Sequence, residues 1–224
     1  MPIAAPDFSW FFTPGSTFSY EEGPTGTLSV VDGGELWLPT GRVVACDPFI
    51  GLGGGYVSPF TAEAAPGRYR VEVAMATLTE PGEAPAADPH LRVAAARLVI
   101  TDTPAVTWEL AVKDGQDPAE LGEDGFFGYG VDAGTGSFYD AAADDSFPDC
   151  EGDEGPLWDA FEAAGHRASV HLVEGENGHN LAAFSSGFGD GHYPTWVGRD
   201  AAGTVTCFVT DFFVVPDGQA PVMS

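Results

Sequence analysis

Short apolar runs that alternate with polar residues, each closed by an Asp-Gly or Pro-Gly corner, constrain this chain more than any other feature. In "GRYRVEVAMATLT" (Gly67 to Thr79), Tyr69, Val71, Val73 and Met75 fall on one side of an extended chain, with Arg68, Arg70 and Glu72 on the other. A period of two is the pattern of a half-buried strand. "GTLSVVDGGELWLPTGRVVACDPF" (Gly26 to Phe49) is divided at Asp32-Gly33-Gly34 and again at Pro39-Thr40-Gly41, which predicts short strands joined by turns. Glycine supplies the positive φ that such turns need, and Asp or Pro shapes the residues before it.

The rest of the chain follows the same grammar. "LRVAAARLVIT" is rich in alanine, yet it ends in Val-Ile-Thr and precedes an alternating run, "AVTWELAVK", so it reads as a strand. "FFGYGVDAGTGSFYD" (Phe126 to Asp140) reads as strand, turn, strand, and the segments from Ala168 onward are again β. Asp132-Ala133-Gly134-Thr135 and Asp200-Ala201-Ala202-Gly203-Thr204 repeat one turn chemistry between apolar runs. One helix stands out at about residues 156–164: Pro156 suits the first helical position, Gly165 the C′ position, and Leu157, Phe161 and Ala164 share a face. The fold expected is mainly β, an antiparallel β-sandwich or a partly open barrel with that one short α-helix. A single domain over 1–224 is the economical organisation, with exposed acidic or Pro-rich loops at 80–90 and 140–155. A chain of this length buries roughly 70% of its extended surface and needs no disulfide or metal staple to fold.

Charge narrows the partners. The 34 acids stand against 8 Lys plus Arg, a formal net charge of −26, and Lys113 is the one lysine. A field of that sign repels phosphate backbones and anionic lipid, so nucleic acid and membrane surfaces are not expected partners. It suits a basic protein, a small polar ligand or a divalent cation, and it also keeps a protein in solution. Cys46 and Cys207 lie in apolar strand-like runs and are expected to be buried thiols, while Cys150 sits among acids that blunt its reactivity. The start of the chain lacks a basic segment followed by a long apolar run, and no stretch approaches the roughly 20 apolar residues of a membrane helix. Cytoplasmic residence is the expectation.

Familiar catalytic and cofactor signatures are missing: there is no HExxH, paired-cysteine, P-loop, G-x-S-x-G or dinucleotide glycine pattern. No cofactor is expected, with calcium the one open question. Asp149, Glu151 and Asp153 alternate as the first ligands of an EF-hand loop do, but the sixth position is Glu154 instead of Gly and the twelfth is Ala160 instead of an acid. Ser185, Asp190 and His192 supply the residue types of a hydrolytic triad, although residues so close on one loop seldom converge.

"SSGFGDGHYPTWVGRD" (Ser185 to Asp200) is the densest stretch. Gly187, Gly189 and Gly191 clear one face of the chain, Tyr193 and Trp196 are large rings with polar handles, and Arg199 is expected to pair with Asp190 or Asp200. Together with "PTGRVVACDPF", "RVAAARLVITDTPAVTWELAV", "GFFGYGVDAGTGSFYDA" and "NLAAFSSGFGDGHYPTWVGRDAAGTVTCFVTDF", it resembles the bacterial family known as domain of unknown function 4241, from about Gly41 to Val215. The resemblance implies a stand-alone bacterial domain in which the glycine-turn and "GDG-x-YPTW-x-G" segments share one architecture, and it implies no activity or catalytic residue. The functional expectation is therefore a non-catalytic binding or accessory domain. Its contact face would use Asp190, His192, Tyr193, Trp196 and Arg199, with Asp132 and Tyr129. The alternatives are a hydrolase using Ser185, Asp190 and His192, and a divalent-cation-binding domain.

Overall fold

The computed structural model describes residues 2–53, 55, 57–82, 89–147, 155, 157–159 and 170–220. Thirteen strands in these residues form three antiparallel sheets. The largest has seven strands in the order β1 (Thr17–Ser19), β2 (Thr25–Leu38), β4 (Gly67–Thr79), β5 (His90–Val99), β13 (Val205–Asp211), β12 (Thr195–Arg199) and β6 (Thr107–Leu110). It curls into a half-barrel. A four-stranded sheet, β3 (Val43–Cys46), β8 (Thr135–Asp140), β10 (Asn180–Ser185) and β9 (Val170–Glu174), lies against it, and β7 (Tyr129–Val131) pairs with β11 (Gly191–Tyr193). The mainly antiparallel β reading holds, and the curl places the protein on the barrel side of the two architectures expected.

Asp32-Gly33-Gly34 is a bulge, not a turn. β2 runs unbroken for 14 residues beside β4, and its register shifts between Asp32 opposite Glu72 and Glu35 opposite Arg70. Gly34 takes φ +79°, and the Asp32 carboxylate accepts its N–H at 2.8 Å. An Asp followed by a left-handed Gly serves a bulge as well as a hairpin, and the bulge deepens the strand's twist. That twist helps the long β2–β4–β5 ribbon to curl.

The main core fills the concave side of the half-barrel. Leu28, Leu36, Val71, Val73, Leu98 and Phe208 line it, and Phe138 and Phe184 of the four-stranded sheet close it. Phe184 packs 5.1 Å from Phe138 and 5.9 Å from Phe212. A second cluster lies on the opposite face of that sheet, where Val44, Cys46, Tyr139 and Leu181 meet Phe147 and Leu157. β3 therefore has no polar face, and "VVAC" is buried at all four positions. Apolar runs without alternation are what two-sided burial demands. A short helix, Phe8–Phe11, is capped by Asp7 and seats Phe8 4.8 Å from Trp108 and 6.2 Å from Trp196. Burying each such ring contributes on the order of 2–3 kcal/mol, so this helix is held by packing and not by its length.

The helix expected at 156–164 lies mostly outside the described residues; Leu157, Trp158 and Asp159 are helical, with Leu157 buried. The connection expected to be exposed from 140 is not uniformly so. Asp140 is a buried strand residue, Ala141–Ser146 forms a 3-10 helix, and Ala143, Ser146 and Phe147 are buried. The carboxylate of Asp140 explains this, since it accepts the N–H groups of Thr40, Gly41 and Ala142 and the Thr40 hydroxyl at 2.6–3.0 Å. Among the described residues, no helix is long and apolar enough to cross a membrane.

Candidate functional site

The two sequence segments richest in glycine and aromatics meet at one end of the four-stranded sheet. β10 pairs with β8, and β11 pairs with β7, so the 125–141 and 180–193 segments build one unit. The turn at Asp132 and Ala133 is tied down by Asp47, whose carboxylate accepts their amides at 3.0 and 2.8 Å and also that of Phe49 at 3.0 Å. Burial pushes the Asp47 carboxyl up, and those three amides push it back down. The Asp190 carboxylate accepts the Gly134 amide at 3.2 Å, which ties the 186–190 loop to the same turn.

That loop wraps around Tyr193. The tyrosine hydroxyl donates to the carbonyl of Gly189 at 2.8 Å, and the ring lies over Gly191, where a Cβ would stand 2.8 Å from ring carbons. Gly187 and Gly189 adopt positive φ. The glycine spacing thus makes room for a buried ring. Tyr193 is 6% exposed and Trp196 3%, so both are core residues and neither presents its face to a ligand. Tyr129 is equally buried, and its hydroxyl has no hydrogen-bond partner among the described residues. Arg199 pairs across the sheet with Glu109, at 2.6 Å, and not with Asp190 or Asp200. Asp132 and His192 are exposed.

Ser185, Asp190 and His192 are close in sequence but share no hydrogen bond among the described residues. Asp190 is spent on Gly134, while the His192 ring stacks on Phe126 at 5.6 Å. His192 is held below its ordinary pKa by partial burial and then by Lys113. Asp149, Glu151 and Asp153 lie outside the described residues, and no metal-ligating group of three acids, histidines or cysteines occurs among the described ones.

Sequence reasoning passed over two groups here. Phe213 is 38% exposed, packs 5.6 Å from Phe126 and 6.1 Å from Tyr193, and adopts φ +53°. Its N–H donates to the carboxylate of Asp211 at 2.9 Å. Asp211 is buried, and desolvation pushes its carboxyl up to about 7. Phe188 is 57% exposed, with the Arg92 guanidinium over its ring at 5.5 Å and the Tyr20 ring at 6.5 Å. The Tyr20 hydroxyl donates to the Val214 carbonyl. Alternation in "TDFFVV" was the available signal, since Phe212 points in and Phe213 out.

Neither the curated proteins nor the solved structures contain a match to this chain. The family model described as "Protein of unknown function (DUF4241)" matches residues 36–210, which span β3 to β13 and every strand that builds this end of the sheet. The chain belongs to that family, DUF4241.

Proposed function

We propose that this domain is a non-catalytic binding module whose contact face is made by the exposed rings of Phe213, packed on Phe126, and Phe188, linked through Tyr20 to the Val214 carbonyl. The carrying observation is the geometry at Asp211 and Phe213. A bulky residue in the left-handed region costs on the order of 1 kcal/mol or more, and burying the Asp211 carboxyl costs further, since no described residue supplies a counter-ion to its charged form and burial holds the proton on it. Both unfavourable features hold one ring at the surface, where it gains little from burial. Strain retained in that way points to use. Asp190 and Asp217 flank the face, each acting electrostatically on a residue beneath it. With a net charge of −26, the fitting partner is a protein segment with an apolar tip and a basic rim.

The test uses two synthetic amphipathic peptides of equal hydrophobicity, one lysine-rich and one glutamate-rich, titrated into the labelled protein and followed by amide chemical shifts. The basic peptide is expected to perturb residues around Phe126, Phe188 and Phe213, and the acidic one to leave them unmoved. Phe213→Asn removes the ring while keeping a residue that tolerates positive φ. Shifts that map elsewhere, or that persist in this variant, refute the face.

A further inference from the structure

The chain has two asparagines, Asn177 and Asn180, and both lie at the hairpin that joins β9 to β10. Their settings are opposite. Asn180 is buried and fully engaged: its Oδ1 accepts the Trp37 N–H at 2.8 Å, and its Nδ2 donates to the Glu35 carbonyl at 2.9 Å. This side chain clamps the start of β10 to β2, and the bulky Leu181 follows it. Asn177 is exposed, precedes Gly178, and makes no side-chain hydrogen bond to a described residue.

The corner of the hairpin is Glu176–Gly178, with Asn177 at φ +57° and ψ +22° and Gly178 at φ +76°. Asparagine and glycine enter this left-handed region more readily than other residues. Two backbone bonds hold the corner, from the Gly175 N–H to the His179 carbonyl at 2.8 Å and from the His179 N–H to the Glu176 carbonyl at 3.1 Å. No side-chain hydrogen bond caps its start, and all three of its residues are exposed. A Cβ at Gly178 would meet only one ring carbon of Trp37, at 3.8 Å. An asparagine so placed has an intramolecular reaction open to it, because the next backbone nitrogen can reach its side-chain amide carbon and close a five-membered ring. Closure needs the Asn177 ψ to rotate away from +22°, and a residue without Cβ on its far side opposes that rotation least.

We propose that Asn177 is a site of spontaneous deamidation, which converts this corner to aspartate and isoaspartate. The Gly178 nitrogen gives its proton to hydroxide and bonds to Asn177 Cγ. The bond from Cγ to the amide nitrogen breaks, and that nitrogen takes a proton from water and leaves as ammonia. Water then opens the resulting cyclic imide at either carbonyl. One opening gives aspartate with the ordinary backbone, and the other routes the chain through the side chain, adding one backbone carbon. Aspartate tolerates positive φ, and its charge joins the exposed Glu174 and Glu176 at the surface. Isoaspartate lengthens a corner whose ends are fixed by the β9–β10 register and by the Asn180 clamp. It should therefore displace His179, whose ring stacks on Trp37 at 5.2 Å. The modification does not rest on the aromatic docking face, and Phe213→Asn should leave it unchanged.

Two asparagines in one tryptic peptide, Ala168 to Arg199, make the test internally controlled. Folded protein is aged in mildly alkaline buffer at physiological temperature beside a sample in urea, and the peptide is sequenced by electron-transfer fragmentation, which tells isoaspartate from aspartate. The expected result is replacement of NH2 by OH at residue 177, with isoaspartate the larger share, and none at Asn180. The rate should rise in proportion to hydroxide and be slower in the folded chain than in urea, where ψ turns freely. Asn177→Gly should abolish the mass gain. Asn177→Asp should keep the native amide signals of Trp37 and Asn180, whereas aged wild-type protein should show a second set of them. An aged sample with one unshifted set overturns the displacement of His179. A urea sample that reacts while the folded protein gains no mass at residue 177, or a gain at Asn180 instead, overturns the site.

Discussion

Asp211→Asn separates the electrostatic cost of the Asp211 carboxylate from every other acidic group. Folded Asp211 keeps its proton up to about 7, against an ordinary 3.8, because burial disfavours the anion and Asp217 adds a smaller like-charge effect. Below 3.8 both folded and unfolded chains hold the proton, and the group contributes nothing to pH dependence. Between 3.8 and about 7 the unfolded chain releases the proton while the folded chain retains it, so stability falls as pH rises. Above 7 the loss is complete. An interval of about three pH units at 1.36 kcal/mol each corresponds to roughly 4 kcal/mol. Asn keeps an oxygen to accept the Phe213 amide but cannot ionise. Its buried NH2 adds a cost that does not vary with pH. Urea unfolding of both proteins from pH 4 to pH 8 should show the difference in stability moving in favour of the variant by about 4 kcal/mol. In thermal melts of a chain this size that is about 8–16 °C. Repulsion among the remaining acids is common to both proteins and cancels in the difference. A difference that stays constant with pH to within about 1 kcal/mol would refute the assignment of a buried, protonated Asp211.

Asp140→Ala should cost about 3 kcal/mol or more by urea denaturation, because it orphans the Thr40, Gly41 and Ala142 amides together. Cys46, pushed up to about 12 by burial, should be alkylated by iodoacetamide at pH 8 at least about a thousandfold more slowly in the folded protein than in urea, as peptide mass spectrometry will show; comparable rates contradict its burial. Arg199→Met should change stability by less than about 1 kcal/mol, since its partner Glu109 is half in solvent and exposed pairs contribute little. A loss above 2 kcal/mol would show that this pair does more than decorate the sheet surface.

The strands were legible because alternation survives wherever one face of a sheet is buried. Even alanine-rich β5 could be read, since its ending and the run after it carry β-branched residues. The Asp-Gly-Gly corner misled because a bulge and a turn ask the same thing of their residues. What decides between them is whether a neighbour is long enough to continue the pairing, and β4 is, at 13 residues. Arg199 misled for a related reason. Asp190 and Asp200 are its neighbours along the chain, but in a sheet the relevant neighbour lies across the ladder, where Arg199 stands opposite Thr107 and beside Glu109.

The aromatic stretch shows where residue type stops informing. Glycines spaced by two around a tyrosine fit an open recognition loop, and they equally fit a loop cleared so that a ring can sink beneath it. Only the carbonyls of Gly189 and Ser186, which receive the Tyr193 hydroxyl, separate the two cases. Phe213 is the converse. Alternation in "TDFFVV" turns one phenylalanine outward, but what sets Phe213 apart is φ +53° and the carboxyl group beneath it, which only the structure shows. Lys113 was conspicuous by rarity alone, and rarity says nothing about a partner. The two segments that the sequence singled out do meet, at one end of the four-stranded sheet. Which side chains face outward there was set by pairing between segments far apart in the chain, and that pairing buried Tyr193 and Trp196 while leaving His192, Phe213 and Phe188 exposed.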